Sequence, residues 1–303
     1  MNVVELSAIS KVYGKKRAVD HLDMTVKKGD IYGFIGRNGA GKSTTLKMIC
    51  GLAAPTEGAI RLFEKEGTSD TLRKRTGMLI ENAGLYPSCS AWENMMLKAR
   101  CLGLVDAKQK VNELLDFTGL SGTGRKKTRH FSMGMKQRLG IAMALLGSPD
   151  LLILDEPING LDPEGIQEIR QMLLSLNRER GITIIISSHI LGELSKIATR
   201  YGIIKDGQMI QELAAEELKQ NCRDYLLIRV DDAKTAAVLL EEELHLTDYE
   251  VHPRGELHIY APCEPQMVSR LISDRGIAVH ELYRHQQDLE SYFLNLMGGE
   301  EHV

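Results

Sequence analysis

Four things are missing from this chain, and each absence narrows what it does. Its five cysteines, Cys50, Cys89, Cys101, Cys222 and Cys263, are odd in number and scattered, with no CxxC pair. Reduced cytosolic thiols explain that pattern, and a zinc site does not fit it. No apolar run approaches the roughly 18 residues that a membrane helix needs, so the chain is not expected to span a bilayer by itself. Charge of one sign is lacking too. The net charge is -3 and the pI about 6.3, so no large positive field is implied and nucleic acid is not an expected partner. There is no internal repeat, no low-complexity stretch and no heptad run. The opening "MNVVELSAISKVYG" carries charge too early, and has no apolar core, to read as a signal peptide.

What is present is ordinary for a globular protein. The chain has 303 residues, 43% of them hydrophobic and 26% charged, a length that suits about two domains. In the first part, β-branched segments bounded by glycine alternate with helical ones. "IYGFIG" (31–36) reads as a strand ending in a Gly-rich turn, and "KSTTLKMICGL" as the helix after it. "LLILDEP" (151–157) and "ITIIISSH" (182–189) are apolar runs ending in polar residues, the pattern of buried parallel strands with functional groups at their carboxyl ends. Asp162 is placed to cap a helix that has Pro163 at its first position, and "SAWE" (90–93) fits a capping box. Beyond about residue 215 the order changes to strand, helix, a hairpin around Pro-Arg-Gly, helix, strand and a closing helix over "QDLESYFLNLMGG". That βαββαβ order suits a small ferredoxin-like α+β unit. The boundary falls near "AAEELKQNCRD", giving an α/β domain over residues 1–215 and an accessory domain over residues 216–303.

The segment from Gly36 to Ser43 matches GxxxxGK(S/T), with a strand before it and a helix after it. Gly36, Asn38, Gly39, Ala40 and Gly41 form a loop whose backbone N–H groups can curl around phosphate, continuing into Lys42, Ser43 and Thr44. Lys42 offers a point charge to the β and γ phosphates, and Ser43 a hydroxyl to Mg²⁺. Asp155 ends an apolar strand as a second magnesium-facing group. The adjacent Glu156 points another way and can face an attacking water. Taken alone, "DEP" is equally a helix cap. A second phosphate-seeking helix end lies far downstream, in "FSMGMKQRLG" (131–140).

The phosphate loop, "FSMGMKQRLGIAMALLGSPDLLILDEP", "NGLDP" and His189 follow one another in the order and spacing of the ATP-binding cassette (ABC) ATPases, which residues 1–215 resemble. The resemblance implies a three-layer P-loop NTPase domain of the α/β class with a helical signature subdomain. Ser132, Gly134 and Met135 stand in the signature motif, usually LSGGQ. Phe131 replaces Leu, Met133 the first central Gly, and Met135-Lys136 the last two places. In the family two copies stack head to tail, each ATP lying between one copy's phosphate loop and the other's signature helix. Two phosphate-seeking helix ends in one chain are then both accounted for, although Ser132 also suits a plain helix cap.

Other roles carried over by the resemblance are Tyr13 stacking on adenine, Glu156 as general base, His189 contacting the γ-phosphate and Asp162 crossing the dimer interface. Tyr13 read alone could be a core residue. Glu81 stands where the family has a Gln that approaches Mg²⁺ and couples it to the membrane partner; a carboxylate can also bind that hard cation, or turn to solvent.

"LIENAGLYPSCSAWENM", "SMGMKQRLGIAMALL" and "LESYFLNLMGG" are similar to a narrower branch, the ATP-binding subunits of bacitracin and lantibiotic resistance or immunity exporters. That similarity implies ATP and Mg²⁺ as cofactors, a second copy and integral-membrane permease subunits as partners, and a place on the inner face of the cell membrane. Alternatives are an ABC exporter for an unrelated cargo and, from other classes, a soluble cassette acting on ribosomes or DNA, and a nucleotide-dependent sensor. Tyr86, Trp92 and the methionines of "WENMM" suit a docking groove or ordinary core. The basic run from Arg125 to His130 suits a solvated loop, or contact with a membrane subunit or anionic head groups.

Overall fold

The computed structural model describes residues 1–285 together with Tyr292, Phe293 and Leu296. The chain divides into two compact units, with the boundary between Ala215 and Glu216. In the first unit, β1 (Asn2–Tyr13) and β2 (Lys16–Lys27) form a long hairpin, and β3 (Ile31–Ile35) leads into α1 (Lys42–Ile49). Next come β4 (Glu57–Leu62), β5 (Lys65–Glu66), α2 (Asp70–Arg73), β6 (Thr76–Leu79), and three helices, α3 (Ala91–Cys101), α4 (Ala107–Phe117) and α5 (Met133–Leu145). The unit closes with β7 (Leu151–Asp155), α6 (Pro163–Arg180), β8 (Thr183–Ser188), α7 (Leu191–Leu194), β9 (Arg200–Lys205) and β10 (Gln208–Ala214).

Two sheets result. One is antiparallel, of order β2-β1-β4-β5; the other has the order β10-β9-β3-β8-β7-β6 and is parallel except at its β10 edge. Val4, Leu22 and Leu62 of the first sheet, Leu46 and Ile49 of α1, and Phe34, Ile153 and Ile185 of the second sheet share one core. α1 is thus a layer between two sheets. The alternate residues Leu152, Leu154, Ile184 and Ile186 are buried as well, so β7 and β8 have no solvated face. This is why both read as unbroken apolar runs. Helices α3, α4 and α5 pack on one another and form the helical subdomain.

The expected strands at 31–35, 151–155 and 183–188 and the helices after Gly41 and Asp162 are all present. The capping box is complete: Ser90 Oγ accepts from the Glu93 N–H at 3.2 Å, and the Glu93 carboxylate accepts from the Ser90 N–H at 2.6 Å. The antiparallel sheet was not anticipated. Its signal was available in the alternation through "VVELSAISKVY" and "KRAVDHLDMTVK", joined at Gly14, whose φ of 58° makes the turn.

In the second unit α8 (Ala215–Asn221) precedes β11 (Tyr225–Val230), α9 (Ala233–Leu244), β12 (Tyr249–His252), β13 (Glu256–Ile259), α10 (Pro265–Asp274) and β14 (Val279–His285). The sheet order is β12-β13-β11-β14, every pair antiparallel, which is the split βαβ arrangement of ferredoxin-like folds. Leu226, Ile228, Leu257 and Ile259 pack with Leu240, Val268 and Ile272. On the opposite face, histidines far apart in sequence converge. His258 and His285 both stack on Tyr225, at 4.1 and 4.8 Å, and His252 lies 3.9 Å from His258. Among the described residues no group of three or more His, Cys, Asp or Glu side chains is placed to hold a metal ion. Apart from Tyr292, Phe293 and Leu296, the expected closing helix lies outside the described residues.

One contact ties the two sheets of the first unit together. Tyr32 of β3 donates its hydroxyl to Glu212 of β10 at 2.6 Å, and the same carboxylate oxygen accepts from the Thr25 N–H of β2 at 3.2 Å. Burial, then the neighbouring Glu212 carboxylate, push the Tyr32 phenol well above its ordinary pKa. The ring needs glycine beside it: a Cβ on Gly202 would lie 2.1 Å from the Tyr32 oxygen and 2.8 Å from the ring carbon bearing it. Gly202→Ala is therefore expected to destabilise the chain by about 3 kcal/mol or more. Tyr32→Phe will not rescue it, because the ring carbons clash as well. Urea unfolding of the single and double variants checks this, and rescue would contradict the packing described.

Candidate active site

The carboxyl ends of β3, β7 and β8 stand side by side. In the parallel register Ile35 pairs with Ser188, and Asp155 with Ser187. The residue after each strand is Gly36, Glu156 and His189 respectively, so the phosphate loop, the two acids and the histidine meet at one edge by strand pairing alone. This is the expected location of a ligand site in an open parallel sheet.

The phosphate loop is held tightly from below. A Cβ on Gly36 would lie 2.6 Å from the Ile204 carbonyl oxygen, and one on Gly41 2.6 Å from that of Ala18. Gly41, at φ 111°, is also the residue from which α1 starts. Arg37, Asn38 and Gly39 are exposed, Ala40 is buried, and Ser43 and Thr44 are half-buried on the first turn. Lys42 is 5% exposed, and its ammonium donates to the carbonyl oxygens of Gly36 at 2.6 Å and Arg37 at 3.3 Å.

Asp155 is buried and accepts from the Ser187 hydroxyl at 2.6 Å. Glu156 has φ 50°, a left-handed conformation that non-glycine residues seldom adopt. Its N–H is held by both oxygens of Ser187, the hydroxyl at 3.0 Å and the carbonyl at 3.2 Å. That clamp turns the two acids apart. The Glu156 carboxylate lies between two partners: Oε2 is 2.9 Å from His189 Nδ1 and Oε1 is 3.3 Å from Lys42 Nζ. A carboxylate accepts only, so the shared proton belongs to Nδ1. Oε1 is buried and, despite its nearness to Lys42, has no hydrogen bond of good geometry. This oxygen is available to a further donor. Ser43 and Asp155 supply hydroxyl and carboxylate oxygen, the donor chemistry a hard divalent cation requires.

A second group of expected residues gathers elsewhere. Ser132 caps α5, its hydroxyl accepting from the Met135 N–H at 3.3 Å; Asp162 caps α6, accepting from the Gly165 N–H at 3.1 Å. Ser132, Gly134, Gly160 and Asp162 line one surface hollow of 460 Å³, together with Arg138 and Glu168, an ion pair at 3.1 Å. No phosphate-loop residue lines this hollow. The Ser132 hydroxyl keeps its own proton to donate outward while it caps the helix.

The Tyr13 ring is 49% exposed at the end of β1, under the Lys11 ammonium at 5.1 Å, and is not part of the core. Glu81 also has a positive φ, 61°, and its carboxylate is bound by Lys47 of α1 with 62% of the side chain in solvent. Met95 and Met96 are core residues, whereas Tyr86 and Trp92 are exposed; the "WENMM" group therefore splits between the two readings. The basic run is more than a solvated loop. Thr128 is buried, its hydroxyl donates to the Tyr86 carbonyl at 2.9 Å, and the N–H groups of Thr128 and Arg129 donate to the carbonyls of Cys89 and Pro87 at 2.9 and 3.1 Å. Sequence reasoning missed Ser187 and Lys47. The polar "SSH" ending an apolar strand could have shown the first; nothing local shows the second.

An ABC transporter family model matches residues 19–159. The chain is 42% identical, over 300 residues and 98% of each protein, to the bacitracin transport ATP-binding protein BcrA of Bacillus licheniformis. It is 43% identical over 210 residues to the lantibiotic transport ATP-binding protein SrtF of Streptococcus pyogenes, covering 69% of this chain and 90% of that one. A solved dimeric ATP-binding cassette in a post-hydrolysis state, bound to ADP and Pi, superposes with a TM-score of 0.64 at 27% identity, over 70% of this chain and 98% of that one. Strand-end geometry and near full-length likeness agree: the chain belongs to the ATP-binding proteins of ABC transporters, and it is an ATPase.

Proposed function

We propose that this ATPase powers export of a peptide antibiotic of the bacitracin or lantibiotic kind through a separate integral-membrane permease, as a pair of identical copies with Mg²⁺ and ATP between them. The observation that carries the catalytic reading is the Glu156 carboxylate, held between Lys42 and His189 at the end of β7. The cargo class is supported by likeness to BcrA along almost the whole chain, second unit included.

Lys42 is the cation within reach of both Glu156 and the phosphate loop. A triphosphate entering the loop competes for it, and the stronger charge draws Lys42 away from Glu156. Glu156, steadied by His189, then has Oε1 free to accept a proton from water in line with the γ-phosphate. Ser43 and Asp155 would hold Mg²⁺, which offsets the charge developing on the β and γ oxygens. Tyr13 offers a ring face to the adenine. Ser132, Gly134 and Met135, with Asp162 beside them, would meet the γ-phosphate held by the other copy. Such a pairing is isologous and gives two equivalent sites.

A groove of 330 Å³ lined by Glu81, Ala83, Leu85, Pro87, Arg129 and Lys136 suits a permease helix, and the exposed Tyr86 adjoins it in sequence. Among the described residues no helix is long and apolar enough to cross a membrane. The protein would then be cytoplasmic, peripheral on the inner face of the membrane through the permease. Nucleic acid has no part in this reading.

Two outcomes are expected. Glu156→Gln lowers steady-state ATP hydrolysis by a factor of about a hundred or more, the scale of losing a general base, while Glu81→Gln retains it. Equal loss in both would remove the distinction between the two acids. In saturating ATP and Mg²⁺, full-length Glu156→Gln runs as a dimer on size exclusion, and adding Ser132→Arg returns it to the monomer position. A dimer indifferent to Ser132 would place the interface elsewhere.

A further inference from the structure

Glu81 follows β6 and puts a carboxylate against α1, the helix that begins at the phosphate loop. Left alone, that charge would oppose nucleotide binding or draw in the metal. In this structure it is not alone, because Lys47 donates to its Oε1. Lys47 lies on α1, the helix whose first residues are Lys42 and Ser43, so one helix presents one lysine to the phosphates and another to Glu81. The Lys47 side chain is only 32% exposed. The hydrogen bond to Glu81 is the main cause raising its pKa above the usual lysine value, and the charges of Glu81 and Asp155 act in the same direction. The left-handed backbone at Glu81 directs the side chain at the point where the chain leaves β6 for the groove.

We propose that Lys47 is a positioning residue that holds the Glu81 carboxylate off the nucleotide's metal ion and neutralises it there. This deepens the Mg²⁺–ATP reading above and rests on it. Removing the ammonium leaves Glu81 two courses. Without Mg²⁺ it repels the triphosphate; with Mg²⁺ it can become a ligand. Both widen the gap between nucleotide affinity measured with and without the metal. Without the Glu81 charge, the gap should close again.

The test uses equilibrium binding, not turnover. Full-length Glu156→Gln is titrated with a fluorescent N-methylanthraniloyl-ATP in excess Mg²⁺ and, separately, in EDTA. The quantity read is the ratio of the two dissociation constants. Lys47→Met is expected to raise that ratio about fivefold, the scale of one uncompensated charge at partly screened range. Lys47→Met with Glu81→Gln restores it, and Lys47→Arg leaves it unchanged. Thermal unfolding of each variant confirms folding. Equal weakening in both media, unrelieved by Glu81→Gln, would make Lys47 a direct phosphate contact and overturn the proposal. So would an unchanged ratio. Failure of the parent protein to bind the nucleotide in either medium would instead overturn the reading beneath it.

Discussion

The register of three parallel strands is the constraint on which the site depends. Once Asp155 is paired with Ser187 and Ile35 with Ser188, Gly36, Glu156 and His189 must emerge at one edge. No loop has to search for its partner. Ser187 then does two jobs from one position: its hydroxyl donates to the Asp155 carboxylate and accepts from the Glu156 N–H. The positive φ of Glu156 accompanies that clamp, and the adjacent acids reach different partners, Asp155 to Ser187 and Glu156 to His189 and Lys42. Both strands can carry these polar ends because their bodies are buried on each face and cannot slip by one residue without exposing a row of Ile and Leu.

Charge compensation is the second theme. Lys42 and Glu156 neutralise one another across 3.3 Å, and Lys47 does the same for Glu81 from further along the same helix. Two of the three candidate-site acids, Glu156 and Glu81, are thus each paired with a lysine of α1, while Asp155 is held by the Ser187 hydroxyl. In the proposed reading a triphosphate would compete for Lys42 in the first pair, and a bound metal for Glu81 in the second. α1 lies between the two sheets and shares the core with both, so a force on either lysine is borne by packed side chains, not by a free loop.

How much of this was legible in the sequence depended on whether the signal was local. The phosphate loop, the buried strands ending in "DEP" and "SSH", and the caps at Ser90 and Asp162 are contiguous patterns, and each emerged where the pattern put it. The β1–β2 hairpin was missed although Leu22, Met24 and Val26 alternate cleanly with less buried residues, because irregular pairing breaks the pattern along β1 and burial of that face comes from packing with α1 and the second sheet. The Lys47–Glu81 pair joins residues 34 positions apart on different elements, so only tertiary structure reveals it. Likewise His252, His258 and His285 are scattered along the chain, and antiparallel pairing brings His258 and His285 onto Tyr225 and His252 against His258. Met95 and Met96 were candidates for a docking surface because composition cannot tell which side of α3 faces inward.

The phosphate loop lies with Glu156 and His189, whereas Ser132 lies with Asp162 in a hollow that no phosphate-loop residue lines. In the proposed dimer these halves meet across two copies of the chain. Its most direct test is subunit mixing. Lys42→Ala disables the loop, Ser132→Arg disables the signature end, and each variant alone should be inactive. In a mixed dimer one site combines both defects and the other combines two intact halves. An equal mixture should recover about a quarter of wild-type ATP hydrolysis if the sites act independently. A mixture as inactive as its two components would contradict the shared site.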